Sequence, residues 1–339
     1  VYTAGNWEHP EYKTAFESLG NHRNVLEVAD TISGPVKVSI PWRRPDSDPG
    51  NKAVLLVDAS SGEIIKKKRV ISLTNESCLL AFEPNDGSSR YDVYYLPHRS
   101  TGSYYPNLTY IRPGEAPGDG EELMLTEKEL AGLPVARIVG AQSIDEFHSF
   151  FPMEIIATEK EVAEYLRSNP APYYLFPEYR QNPVKMDDHL PVHWVREDTP
   201  PNALQDTVQK GEYYTFQVGV WSPVNDLHNV TMIFSDITFG GDLIAAKAAT
   251  CFNLGGTDLN GHPFTKTINI PKNKVQSLWC GIEVPRDIDA GTYRGSVIIQ
   301  AKDMVPDTVF LSLSVTNEIT ENYGDNNPHK MSRLRSVSY

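Results

Sequence analysis

The sequence of 339 residues is poor in cysteine and has no long apolar stretch. Three cysteines, Cys78, Cys251 and Cys280, are too few for a disulfide scaffold. The sequence also has no CxxC motif, which would have indicated a structural zinc site. No run approaches the roughly 18 apolar residues that cross a bilayer as a helix, which excludes a helical membrane span. Cys251 and Cys280 either pair as a disulfide in an exported protein or remain two buried thiols, and the sequence leaves both open.

Basic residues are also scarce, because the sequence has 31 Lys and Arg residues against 44 Asp and Glu residues, which gives a net charge of −13. Proteins that bind nucleic acid through its phosphates usually carry a basic surface, so that class is disfavoured. The 23 Gly and 25 Pro are ordinary totals and exclude a collagen-like or low-complexity chain. Aromatic residues stand out instead, at 10% of the chain with 17 Tyr and 5 Trp.

The common catalytic motifs are missing as well. There is no GxGxxG after a strand and no GxxxxGK[ST], HExxH or GxSxG, so nucleotide-binding, zincin and serine-hydrolase functions lack support. Asp187, Asp188 and His189 with His193 form a tight group of possible metal ligands, although a polar loop explains them more simply. We therefore predict no cofactor, metal site or catalytic residue. A Ca²⁺ held by backbone carbonyls would leave no trace in a sequence.

From residue 22 to residue 140 the dominant pattern has a period of two. Val36, Val38 and Ile40 alternate with polar residues, and Ala53–Val57 is a short continuous apolar run followed by turn-forming residues. Short strands at this spacing predict an antiparallel sandwich after an N-terminal arm at 1–21. The expected strands are 36–40, 53–57, 63–73, 77–82, 91–96, 108–111 and 135–138.

Residues 141–186 are predicted to form a helical connector. Thr158 and Glu161 fit a capping box that opens a helix at Glu159–Arg167, and Ser143 with Glu146 fits the same pattern. A further box, from Thr126 to Glu129, lies before the last strand of the first sandwich.

Alternation returns over residues 187–318 and predicts a second antiparallel sandwich. Asp289–Gly295 is a turn that runs into a strand, an arrangement typical of immunoglobulin-like sandwiches. Residues 319–339 are predicted to be a linker or tail. The fold class is therefore mainly β, with two antiparallel β-sandwich domains, the second immunoglobulin-like, joined by a helical connector.

Two aromatic clusters suggest a carbohydrate-binding surface, since aromatic faces stack on sugar rings while Arg and Asp bind hydroxyl or acidic groups. An alternative is that the rings fill the sandwich core and that Asp46 forms a structural bridge with one neighbouring Arg. Alternation also predicts one buried and one exposed member in each tyrosine pair. The candidate carbohydrate-binding residues are Trp42, Arg43, Arg44, Asp46, Tyr94, Tyr95, Tyr104 and Tyr105.

Short segments along nearly the whole chain resemble the N-terminal part of glycoside-hydrolase-like proteins from gut Bacteroidetes that are related to glycoside hydrolase family 123. This resemblance implies a secreted, periplasmic or outer-membrane-associated protein whose two sandwich modules precede a catalytic (β/α)₈ domain. The segments are Ile40–Arg44, Tyr91–Pro97, Phe151–Ala157, Phe176–Arg180, Cys251–Gly256, Leu278–Gly281, Ala290–Gly295 and Ser332–Arg335.

The resemblance departs from the family at Ser336–Tyr339, where the relatives continue into the barrel. A (β/α)₈ barrel takes roughly 250 residues, so we expect a non-catalytic accessory region without a complete active site. The first residue is Val1 rather than Met, so we expect a processed or trimmed form. Expected partners are a poly- or oligosaccharide and a (β/α)₈ domain outside this chain. The alternatives are a stand-alone carbohydrate-binding protein and an adhesin or sandwich enzyme with an unrecognised site.

Overall fold

A computed structural model of the chain describes residues 2–4, 7, 17–102, 105, 107–196 and 202–320. Its contacts form two compact units, Val1–Thr158 and Glu159–Tyr339. Strands make up 45% and helices 10%, which confirms the mainly β prediction. The expected connector at 141–186 holds the end of one strand, a helix and a further strand, and the domain boundaries stay a prediction. No helix in these ranges is both long and apolar enough to cross a membrane.

The first unit is built from three sheets. A five-stranded sheet has the order β1-β11-β3-β8-β5, and three-stranded sheets have the orders β4-β7-β6 and β10-β9-β2. Strand β1 runs parallel to β11, and the other named pairs are antiparallel. Its elements are β1 Tyr2–Ala4, β2 Glu17–Ser18, β3 His22–Glu27, β4 Val36–Ile40, β5 Val54–Asp58, β6 Lys68–Leu73, β7 Cys78–Phe82, β8 Arg90–Tyr95, β9 His98–Thr101, β10 Asn107–Tyr110, α1 Glu127–Gly132 and β11 Arg137–Ser143.

Apolar residues cover the five-stranded sheet on both faces. On one face, Val93 of β8 packs in a cluster with Val38 of β4 and Leu80 of β7, so two sheets form a sandwich. On the other face, Leu55 of β5 lies in a separate cluster with Ile111. All five residues of β5 are buried. A strand buried on both faces reads as a continuous apolar run, which explains the pattern at Ala53–Val57.

The second unit has a four-stranded sheet, β12-β14-β22-β18, and a larger sheet of order β13-β24-β23-β15-β21 that also carries β16 and β17. Strands β19 and β20 form a separate hairpin. Its elements are α2 Glu159–Ser168, β12 Tyr174–Tyr179, α3 Val192–Arg196, β13 Ala203–Lys210, β14 Tyr213–Trp221, β15 Leu227–Phe234, β16 Ile237–Phe239, β17 Asp242–Ile244, β18 Ala249–Cys251, β19 Gly255–Thr257, β20 Pro263–Thr265, β21 Ile268–Ile270, β22 Val275–Glu283, β23 Gly291–Gln300 and β24 Asp307–Ile319.

One core lies between these two larger sheets. Phe216 and Leu278 from one sheet pack in a cluster with Val297 and Leu313 from the other. The predicted turn Asp289–Gly295 is shorter than expected, because β23 already begins at Gly291, and the hydroxyl of the buried Tyr293 donates to the Asp289 carbonyl at 2.9 Å. A tyrosine that bonds back to the chain a few residues upstream is a feature of immunoglobulin-like sandwiches.

The capping-box predictions had different outcomes. Thr126 caps α1 as expected, because its hydroxyl accepts from the Glu129 backbone N–H while the Glu129 carboxylate accepts from the Thr126 N–H. A helix also begins at Glu159. The helix predicted after Ser143 is wrong, because Ser143 ends β11 and its hydroxyl donates to the Asp145 carbonyl. Strand pairing with β3 there outweighs the local capping signal.

Candidate functional site

Trp42 lies in the core of the first sandwich, although we predicted it as a sugar-stacking ring. It is 4% exposed and stacks on Tyr95 with ring centroids 4.2 Å apart. Its indole N–H donates to the Thr74 carbonyl at 3.2 Å. Tyr95 is 3% exposed. A ring covered in this way offers no face to a sugar, so these two residues serve packing.

Tyr94 is also buried, on the opposite face of the same strand. Its hydroxyl accepts from the Arg23 guanidinium at 3.0 Å, and Arg23 pairs with Asp92 at 2.7 Å. The two rings lie on opposite faces of the strand, as the alternation predicts. We expected one of them to be exposed, but both are buried, because a second apolar cluster covers the face on which Tyr94 lies. Burial raises the pKa of the Tyr94 hydroxyl.

Tyr105 is exposed, with 75% of its surface accessible. Tyr104 lies outside the described residues. Carbohydrate binding by Tyr104 and Tyr105 stays a prediction.

The two arginines after Trp42 turn toward residues 144–158 of the same unit. Arg43 has a positive φ of 52°, and its guanidinium donates to the Ile156 carbonyl at 3.2 Å. Arg44 lies over the Phe150 ring at 4.2 Å. Phe150 in turn stacks on His22, and burial together with the Arg44 charge lowers the pKa of His22 to about 4.

Asp46 connects the buried rings to a lysine. Its carboxylate accepts from the Tyr95 hydroxyl at 2.7 Å and lies 3.7 Å from the Lys52 ammonium. Asp46 thus pairs with Lys52, and a bridge between Asp46 and one of the neighbouring arginines stays a prediction. Burial and the nearby Asp46 charge raise the pKa of Tyr95 and of Tyr110.

Lys52 opens onto a cleft of about 310 Å³ between two edge strands, β5 of the five-stranded sheet and β6 of the neighbouring sheet. Its volume lies at the lower end of the range for ligand pockets. Segment 111–123 lies along this edge, where the Ala53 N–H donates to the Ile111 carbonyl and the Leu123 N–H to the Lys68 carbonyl. The lining residues are Gly50, Lys52, Ala53, Val54, Lys68, Val70, Ile71, Ser72, Leu73, Pro113 and Asp119.

The charged lining of the cleft comprises two lysines and one carboxylate. Lys68 is 7% exposed and pairs with Asp119 at 2.8 Å. Lys52 is 9% exposed, and its ammonium lies 3.7 Å from Asp46 and 4.7 Å from the centre of the Tyr110 ring, both longer than a hydrogen bond. An ammonium has three N–H donors, so Lys52 can still donate to a ligand oxygen. Apolar Val54, Leu73 and Pro113 complete the walls.

A second polar group lies in the core of the other unit, and the sequence did not single it out. The Glu178 carboxylate, 5% exposed, accepts hydrogen bonds from Trp194 at 2.9 Å and Asn182 at 3.2 Å and pairs with His193 at 2.5 Å. Burial raises the pKa of Glu178, but these hydrogen bonds outweigh burial and hold the pKa below its usual range. Trp194 packs directly over Gly219. A Cβ atom at position 219 would lie only 2.5 Å from the indole ring.

His193 therefore binds Glu178 rather than the Asp187–His189 group. Asp188 pairs with Lys274, and Asp187 lies 3.9 Å from the same ammonium. In the part of the chain that the structure describes, no three His, Cys, Asp or Glu residues are grouped in a way that could hold a metal ion. The bonds from Glu178 to His193 and Trp194 and the packing of Trp194 on Gly219 hold α3 against β12 and β14.

Two family models match the chain. One described as "Glycoside hydrolase 123, N-terminal domain" matches residues 13–144, which include the whole cleft, and one described as "Glycoside hydrolase 123 N-terminal domain" matches residues 256–301. No curated protein matches.

Solved structures show weaker likeness. A family 123 glycoside hydrolase from Clostridium perfringens, described for glycolipid glycan hydrolysis, is 21% identical with a TM-score of 0.35, over 44% of this chain and 28% of the enzyme. The sialic acid binding region of a Streptococcus sanguinis adhesin is 12% identical with a TM-score of 0.22, over 85% of this chain and 79% of that one.

Proposed function

Because the chain is related to the N-terminal region of family 123 glycoside hydrolases, we propose that it is a non-catalytic accessory region that serves glycan breakdown outside the cytoplasm. The observation that carries this proposal is the match of residues 13–144 to the family's N-terminal domain. Its role would be to bring a poly- or oligosaccharide to a catalytic (β/α)₈ domain, on the same polypeptide or a separate one. Export to the periplasm or cell surface belongs to the proposal and can be tested by immunoblotting cell fractions of the native bacterium.

The cleft between β5 and β6 supplies the binding site in this proposal. Sugar rings present apolar C–H patches and hydroxyl groups, and the cleft combines apolar walls with the Lys52 donor. Each ammonium group of the lining pairs with a carboxylate, Lys52 with Asp46 and Lys68 with Asp119, so the charges balance and the remaining N–H donors suit the hydroxyl groups of a neutral sugar. A stand-alone carbohydrate-binding protein would use the same cleft, so the binding site itself is common to both functions.

Titration of the purified chain against host and plant polysaccharides tests the binding site. We expect Lys52→Gln to weaken binding about ten-fold, the usual effect of losing one charged hydrogen-bond donor. Lys67→Gln is the matched control, since Lys67 is an exposed neighbour that pairs with Glu83 and does not line the cleft. Equal affinity of the Lys52 variant and the control would exclude the cleft as the site.

The non-catalytic part of the proposal has its own test. The purified chain is incubated with a panel of aryl-glycosides, and release of the aryl group is followed over time. We expect no turnover above the uncatalysed rate. Release that scales with protein concentration and persists in the Lys52 variant would show a catalytic site elsewhere in the chain.

A further inference from the structure

Cys251 and Cys280 face each other across two neighbouring strands of the second unit. Cys251 ends the edge strand β18, and its partner in the register is Cys280 of β22. The Phe252 N–H donates to the Trp279 carbonyl at 2.9 Å, which makes that adjacent pair a hydrogen-bonded one. Since pair types alternate along an antiparallel ladder, Cys251 and Cys280 form a non-hydrogen-bonded pair, in which Cα atoms are about 4.5 Å apart. That separation falls within the disulfide range of about 4.4–6.8 Å.

The surroundings of the two thiols differ. Both are buried as free cysteines, and Cys280 is fully covered, with its Sγ 3.4 Å from the Met232 Sδ. A hydrogen bond from Cys280 lowers the pKa of Cys251 to about 7 against the opposing effect of burial, and bonds from the Asn253 and Leu254 N–H groups add to the decrease. Burial raises the pKa of Cys280 well above its ordinary value. Cys251, at 8% exposure on an edge strand, is thus the more accessible and more acidic thiol.

We propose that Cys251 and Cys280 are an oxidation site that forms a cross-strand disulfide with a small-molecule or protein disulfide as the oxidant. The Cys251 thiolate attacks one sulfur of the donor, which forms a mixed disulfide and releases the first donor thiolate. The Cys280 thiol then attacks the Cys251 sulfur and displaces the second donor thiolate, which takes up the Cys280 proton. Two protein thiols lose two electrons in total, and the donor disulfide is reduced to two thiols.

The cross-link would close a loop from residue 251 to residue 280 that contains the β19–β20 hairpin and β21. It would tie an edge strand to an inner strand of the four-stranded sheet. This inference is independent of the cleft, because all of these residues lie in the second unit.

Thiol counting on the full chain tests the proposal. The protein is equilibrated with glutathione disulfide or with dithiothreitol, unfolded in denaturant with N-ethylmaleimide, and analysed by intact mass and peptide mapping. We expect three labelled cysteines after reduction and one after oxidation, with a linked peptide that joins Cys251 to Cys280. Cys78 is the internal control, since it lies in the other unit, is fully buried and has a pKa raised by burial to about 12.

Variants and thermal unfolding give a second readout. We expect oxidation to raise the melting temperature by about 5–10 °C, in the wild type and equally in Cys78→Ser. In Cys251→Ser the oxidised and reduced samples should melt together. Three labelled thiols after full equilibration with the oxidant, or a linked peptide that contains Cys78, would overturn the proposal. If Cys251→Ser does not fold, the number of labelled thiols in oxidised Cys78→Ser still tests the proposal: none is expected if the disulfide forms, and two if it does not.

Discussion

The Trp42 and Tyr95 rings stack in the core of the first sandwich, so their contribution is to stability rather than to binding. We predict that Trp42→Ala lowers the free energy of unfolding by about 3–5 kcal/mol, because a large buried ring is replaced by a cavity. Urea denaturation followed by circular dichroism measures the change.

Tyr105→Ala is the matched control for that experiment, since Tyr105 is 75% exposed and its removal should change stability by less than about 0.5 kcal/mol. If Trp42→Ala leaves stability unchanged but abolishes glycan binding, the packing role is wrong and the original sugar-stacking prediction is restored.

For individual residues, the sequence predicted the face of the strand on which each tyrosine ring lies. It did not predict whether other side chains cover that face. Period two places Tyr94 and Tyr95 on opposite faces whatever else the chain does. Exposure of either face depends on a second layer, and residues such as Ile111 that cover Tyr94 come from a later part of the chain.

Among the secondary-structure elements, the Glu178 network links β12 to the short helix α3. We predict that Glu178→Gln lowers the free energy of unfolding by about 1–3 kcal/mol at neutral pH, because one acceptor of a buried network is replaced by a donor. The measurement is urea denaturation from pH 7 to pH 3. Glu83→Gln is the control, a half-buried carboxylate that pairs with the exposed Lys67.

The same variant has an expected pH dependence. The folded-state pKa of Glu178 is lowered, so its contribution is fully present above the ordinary glutamate pKa and is lost as pH falls through the folded value. The stability difference between the wild type and Glu178→Gln should therefore shrink as the pH falls below about 4.5. A difference that stays constant down to pH 3 would contradict the hydrogen-bonded carboxylate described here.

Strands were predicted more reliably than helix starts, for a physical reason. A strand such as Val36–Ile40 is indicated by an alternation that its burial in a sandwich requires. A capping box only satisfies a few N–H groups, so the one at Ser143 gives way where β11 pairs with β3.

For the whole molecule, the two units have separate cores. One cluster lies between the sheets of the second unit, and the two clusters of the first unit contain only its own residues. We predict that residues 1–158 and residues 159–320 fold when each is expressed alone, since a domain with its own core can fold independently. Cooperative urea unfolding and dispersed NMR spectra would show this. Fragments that remain unfolded apart and fold on mixing would contradict it.

Sequence alone determined the mainly β class and the likeness to family 123 N-terminal domains, because alternation and short motifs are properties of neighbouring residues. The candidate sites depend on long-range pairing. Lys52, Lys68 and Asp119 meet only because two sheet edges and a later segment converge, and Cys251 meets Cys280 only in the register of β18 with β22. Which strands pair and which faces are covered follow from packing across the chain, and local patterns carry no information about that packing.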